Sequence, residues 1–126
     1  MSIRLNTRQI DDVIVVDVAG WITDGEGAIA LRDTLRALNH QGRAKILLNL
    51  AGASYIDSTG IGVLVRDGYT ATTSSGGQFK LLGLSRGIKK SLKITNLYTV
   101  FDVYTDETSA ISSFASTTAP ALQAHQ

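Results

Sequence analysis

The feature that most constrains the fold is a repeated change in the spacing of apolar residues, from every second position to every third or fourth and back again. Ile3, Leu5 and Thr7 alternate with Arg4, Asn6 and Arg8, the two-residue period of a half-buried strand. After a polar turn at Asp11-Asp12 comes the nearly continuous β-branched run Val13 to Val18, which predicts a more central strand ending at Ala19-Gly20 and paired with the first as a hairpin. From Ala28 the period lengthens. Leu31, Leu35 and Leu38 form one helical stripe that should stop between Asn39 and Gly42.

Lys45 to Leu50 then reads as a buried strand, and strand, helix, strand at this spacing predicts a right-handed crossover with parallel pairing. A second helix is expected after Asp57, with Ile61, Leu64, Val65 and Gly68 at helical spacing. Gly76-Gly77 reverses the chain before a short strand at Phe79 to Leu82. A third helix begins at Ser85 with Ile88 and Leu92 inward, and Asn96 is placed to end it in a left-handed conformation. Phe101 to Tyr104 is a last strand, and Asp106 caps a final helix carrying Ala110, Ile111 and Phe114. The expectation is one α/β domain over residues 1–114, with a mixed sheet of about five strands and about four helices. Residues 115–126, small and polar with the only proline, read as a flexible tail.

Composition narrows the function classes. The absence of cysteine excludes a disulfide framework, thiolate metal ligands and a cysteine nucleophile. Two histidines, His40 and His125, make a poor metal site, so neither metal nor cofactor is expected. Twelve basic and eleven acidic side chains leave a net charge near zero, which recommends neither nucleic acid nor an anionic membrane as partner. No apolar run approaches a membrane span and Met1 to Asn6 lacks the apolar core of a secretory leader, so the expectation is a soluble cytoplasmic protein.

The most chemically loaded stretch is Asp57-Ser58-Thr59-Gly60, set where a strand region passes into the second helix. Asp57 or Ser58 can cap the free amides of the first turn, which explains the location but not the surplus of polar groups. An aspartic-protease loop has Asp-Thr-Gly or Asp-Ser-Gly, and here an extra hydroxyl residue separates Asp57 from Gly60 within an α/β pattern. A serine hydrolase needs a base near Ser58, and neither histidine lies on a strand end. A phosphate-binding loop needs Gly-Lys-Ser/Thr, and Asp57 would repel the anion. What remains is an exposed hydroxyl at a helix start, flanked by glycine for close approach, which another protein can reach and phosphorylate.

These residues resemble the STAS domain family, and within it the small bacterial anti-sigma factor antagonists. The resemblance covers about residues 3–114 and is carried by "LLNLAGASYIDSTGIGVLV", with Gly20, Gly77 and "ITNLYTVF" in support. It implies a non-enzymatic switch. In the family, an anti-sigma factor with GHKL-type serine kinase activity phosphorylates the serine after the aspartate, here Ser58. The unmodified antagonist captures the kinase and frees a sigma factor, and a serine phosphatase resets it. On this resemblance Asp24, Asp57, Ser58, Thr59 and Gly60 form the partner-binding site, and the nucleotide belongs to the kinase. Members often read Gly-Glu-Leu/Ile-Asp after the second strand, whereas this chain has Gly20-Trp21-Ile22-Thr23-Asp24. Either Asp24 takes that aspartate's place after a one-residue extension, or the role is absent. The alternative class is a STAS scaffold or accessory subunit, in a stressosome-like assembly or beside a membrane lipid transporter.

Two further features stand outside this site. Arg86, Lys89, Lys90 and Lys93 make a basic stripe on the third helix, read first as a solvated face. Trp21 is read as local packing beside a turn, or as an interface anchor where exposed.

Overall fold

The computed structural model describes residues 2–114. Strands β1 (Ile3–Ile10) and β2 (Val13–Ile22) form an antiparallel hairpin, turned at Asp11 with φ 56°. Helix α1 (Glu26–His40) then crosses to β3 (Lys45–Ile56), which lies parallel to β2. From Asp57 the chain runs through one continuous helix: α2 (Ser58–Val63), a π-helical stretch (Leu64–Thr70) and α3 (Ala71–Ser74). Strand β4 (Gln78–Leu82), helix α4 (Arg86–Ile94), a 3-10 turn (Tyr98–Val100) and β5 (Asp102–Tyr104) follow, and α5 (107–114) closes the described chain. The five strands lie in sequence order, with β2 to β5 mutually parallel, so the described residues carry the mixed five-stranded sheet and four helices that the spacing predicts.

Alternation decides which side chains enter which layer. Ile14, Val16 and Val18 of β2 and Ile46, Leu48 and Leu50 of β3 point to one face, where Leu31 and Leu35 of α1, Ile61 and Leu64 of the α2 region and Ile88 and Leu92 of α4 cover them. Val13, Val15 and Leu47 point to the other, where Ala110 and Phe114 of α5 form a smaller core with Leu82. The polar groups under α5 are paired. Arg8 bridges Asp17 (2.7 Å) and Glu107 (2.6 Å), and Lys80, buried on β4, donates to Ser113 at 2.8 Å beside the Phe114 ring.

Several boundaries differ from the sequence reading, each for a physical reason. β3 continues past Leu50 to Ile56, because Gly52 and Ala53 pair with Ala19 and Gly20 of β2 although their small side chains leave no alternation to detect. Trp21 lies inside β2, not in a loop, and pairs with Tyr55. α1 begins at Glu26, two residues before its first core side chain. Asn96 (φ 61°) ends α4 in the left-handed region as expected, and Asp106 caps α5 by accepting the Ser109 amide at 2.8 Å. The reading of residues 115–126 as a flexible tail lies outside the described residues.

Candidate functional site

The C-terminal ends of the parallel strands β2 and β3 deliver the site. Ile22 and Ile56 are register partners facing the core, so the two segments that follow them, the loop before α1 and the start of α2, leave the sheet side by side. Asp57 joins them. It is extended (φ −105°, ψ −174°), as an N-cap requires, and its Oδ1 accepts the Gly60 amide at 2.9 Å. Its Oδ2 accepts the Asp24 amide at 2.8 Å, and its own amide donates to the Ile22 carbonyl at 3.3 Å. Partial burial pushes the Asp57 carboxyl up, but the amides of Asp24, Gly60, Thr59 and Asp57 outweigh it and hold the group below the ordinary aspartate range. Asp57 is therefore a charged clasp whose oxygens are already committed within the domain.

That division leaves Ser58 free. The sequence admits either Asp57 or Ser58 as cap; Asp57 takes the role, and the exposed Ser58 hydroxyl makes no hydrogen bond among the described residues. Thr59 and Asp24 are also exposed. Gly60 is buried, and its requirement is internal: a Cβ there would strike the Ile22 carbonyl oxygen and come within 2.7 Å of Ile56 Cγ1. Close approach of α2 to the end of β2 thus accounts for a glycine here from within the domain. All five residues singled out from the sequence, Asp24, Asp57, Ser58, Thr59 and Gly60, meet at this one corner.

An exposed aromatic pair stands next to it. Trp21 (40% exposed) and Tyr55 (50% exposed) make an edge-to-face contact with ring centroids 5.8 Å apart. The basic stripe of α4 is exposed as expected, with Lys89 and Lys93 resting over the Tyr98 ring.

Sequence reasoning missed two parts of the helix behind Ser58. Gly62 is half-buried, and a Cβ built there meets only Arg66 Nη1 at 3.8 Å, so no packing demands glycine. A second miss is the π-helical stretch, locked from α1: Asp67, 4% exposed, receives Arg36 Nε at 2.8 Å, while Asn39 Nδ2 donates to the Asp67 carbonyl and to Thr72 Oγ1. Segments of this kind concentrate at functional sites.

Among the described residues no group of three or more His, Asp or Glu side chains could hold a metal ion, and no helix is long and apolar enough to cross a membrane.

The family pattern described as STAS domain matches residues 4–110. An "Anti-sigma-B factor antagonist" of Bacillus subtilis (strain 168) is 36% identical over 103 residues, covering 82% of this chain and 92% of that protein. The crystal structure of a putative anti-sigma factor antagonist from Thermotoga maritima superposes with a TM-score of 0.81 at 23% identity, covering 88% of this chain and 94% of the other. The phosphorylated form of the Bacillus cell fate determinant SpoIIAA superposes at 0.70 and 19% identity, covering 87% and 98%. The chain belongs to the STAS domain family.

Proposed function

We propose that this protein is a phosphorylation-controlled anti-sigma factor antagonist. Unmodified, it captures an anti-sigma factor that is also a GHKL-type serine kinase, so that a sigma factor is released for transcription. The kinase transfers phosphate to Ser58, capture ends, and a serine phosphatase restores the binding form. The chain itself catalyses no step, binds no cofactor and works in the cytoplasm beside its partners. The names of its relatives support the antagonist role, and a solved phosphorylated form of SpoIIAA supports control by phosphate.

One observation carries the reading. Asp57 takes the cap and ties down the Asp24 loop, leaving Ser58 exposed and unbonded at the head of α2. Asp24 and Thr59 flank the hydroxyl as the partner's recognition surface, while Asp57 and Gly60 hold the corner in shape. A group bearing about −1.5 to −2 charges at Ser58 would stand beside the Asp57 carboxylate. On a surface that must lose water to bind, that charge opposes docking.

The test is incubation with the kinase and ATP, followed by mass spectrometry. Phosphate at Ser58 is expected, and Thr59→Ala should still be modified. Phosphate on Thr59 alone would overturn the assignment.

A further inference from the structure

Resting on the reading of Ser58 as the modified residue, we infer that the Arg66 guanidinium is the partner within the chain of the Ser58 phosphate. Residues four apart lie one above the other on a helix, and long side chains lean toward its N-terminus. Ser58, Gly62 and Arg66 thus define one track along the continuous helix. Arg66 follows this lean: its Nη1 lies 3.8 Å from the position a Gly62 Cβ would occupy, the turn between it and Ser58. Because residue 62 is glycine, no side chain separates the guanidinium from the hydroxyl.

The tether at the base of Arg66 is loose enough to permit the swing. Arg66 Nε stands 3.5 Å from Asp67 Oδ2, an oxygen that accepts no hydrogen bond, and the Arg66 side chain is 61% exposed. Asp67 has its stronger partner in Arg36, at 2.8 Å, so releasing Arg66 does not strand the buried carboxylate. Arg66 is also the one basic side chain between Ser58 and Ser74. A phosphate on Ser58 faces the Asp57 carboxylate, whose oxygens already hold the amides of Asp24 and Gly60, and needs a cation elsewhere. A guanidinium suits it, since its fork matches phosphate oxygens with two hydrogen bonds. The pairing draws the phosphate down over Gly62 and withdraws Arg66 from the surface presented to the kinase.

Phosphoserine installed at position 58 during translation tests this without any kinase, and phosphorus NMR then follows the second ionisation of the phosphate against pH. With Arg66 in place this ionisation should occur about half a pH unit or more below its value in Arg66→Gln, with Arg66→Lys between them. Equal values in wild type and Arg66→Gln overturn the inference. So does an equal shift on Lys90→Gln, an exposed cation on α4, which would make the effect one of general surface charge. Failure of the functional reading shows elsewhere, in whether Ser58 is modified and whether modification ends capture, so the two failures are told apart.

Discussion

Asp57 and Asp24, 33 residues apart in the chain, are joined by a 2.8 Å hydrogen bond in which the Asp24 amide donates to a carboxylate oxygen of Asp57. The other oxygen holds the Gly60 amide at 2.9 Å, so one side chain fixes both the entry to α2 and the loop before α1. Ser58, the proposed phosphoacceptor, opens α2 beside this anchor with its hydroxyl exposed and unbonded among the described residues. Phosphate added to Ser58 therefore changes the surface without removing a bond that holds the fold.

Replacing Asp57 by alanine should cost about 0.5–2 kcal/mol, the range for loss of an N-cap, and should also release the Asp24 loop. Capture should weaken even with Ser58 unmodified. Because the folded-state pKa of Asp57 is depressed, its contribution is present above the ordinary aspartate range and is lost as pH falls through the lower folded value. Melts of wild type and Asp57→Ala across pH 7 to 2 check this: the two curves should converge at the acid end.

The two glycines of the site separate packing from recognition. Gly60→Ala should destabilise strongly, because the new methyl group meets the Ile22 carbonyl and both isoleucine side chains. Gly62→Ala should instead raise stability by roughly 0.5–1 kcal/mol, as glycine in a helix interior is the poorer residue and the methyl group has room. The same substitution should weaken capture by roughening the exposed face of α2. Chemical denaturation and a binding titration on each variant decide it.

How much of this was legible in the sequence varies from element to element. Apolar periods located the larger strands and helices, because Val13 to Val18 and Leu31, Leu35 and Leu38 carry large side chains that must alternate or repeat correctly to be buried. The far half of β3 was not legible, since Gly52 and Ala53 are held by pairing with β2 and have no pattern of their own. The π-helical stretch was hidden for a related reason: Asp67 and Thr72 are stabilised by Arg36 and Asn39 of a different helix. The sequence left the cap open between Asp57 and Ser58, and the folded chain gives it to Asp57. Its bond to Asp24 depends on β2 and β3 lying in register, which only the folded chain provides.

Acid should loosen α5. Arg8 hydrogen-bonds to both Asp17 and Glu107 and is the main reason that each carboxyl lies below its ordinary range. Depressed folded-state values mean that these contributions are present above the ordinary carboxylate range and vanish as pH falls through the lower folded ones. Glu107→Gln should therefore show a shallower loss of stability between about pH 5 and 2 than wild type, while capturing the kinase normally at neutral pH. Thermal melts in that window provide the measurement, with hydrogen exchange at Ala110 reporting α5 itself.

Trp21 is the only tryptophan of the chain, and it stands exposed against Tyr55 next to the tethered loop. Docking of the kinase over this corner should shift its emission to shorter wavelength as the ring loses water. Trp21→Ala should leave the fold intact and weaken capture roughly tenfold, which corresponds to about 1.4 kcal/mol. Fluorescence during titration and calorimetry on the variant test the two statements.

The central claim is that the charge on Ser58, and not a change of fold, decides capture. Isothermal titration of the anti-sigma kinase into the unmodified protein and into the protein phosphorylated at Ser58 measures it directly, with circular dichroism recorded on both. A penalty of only about 3 kcal/mol at the interface weakens binding more than a hundredfold, so the account predicts at least that loss with dichroism and melting nearly unchanged. Equal affinity of the two forms would contradict it.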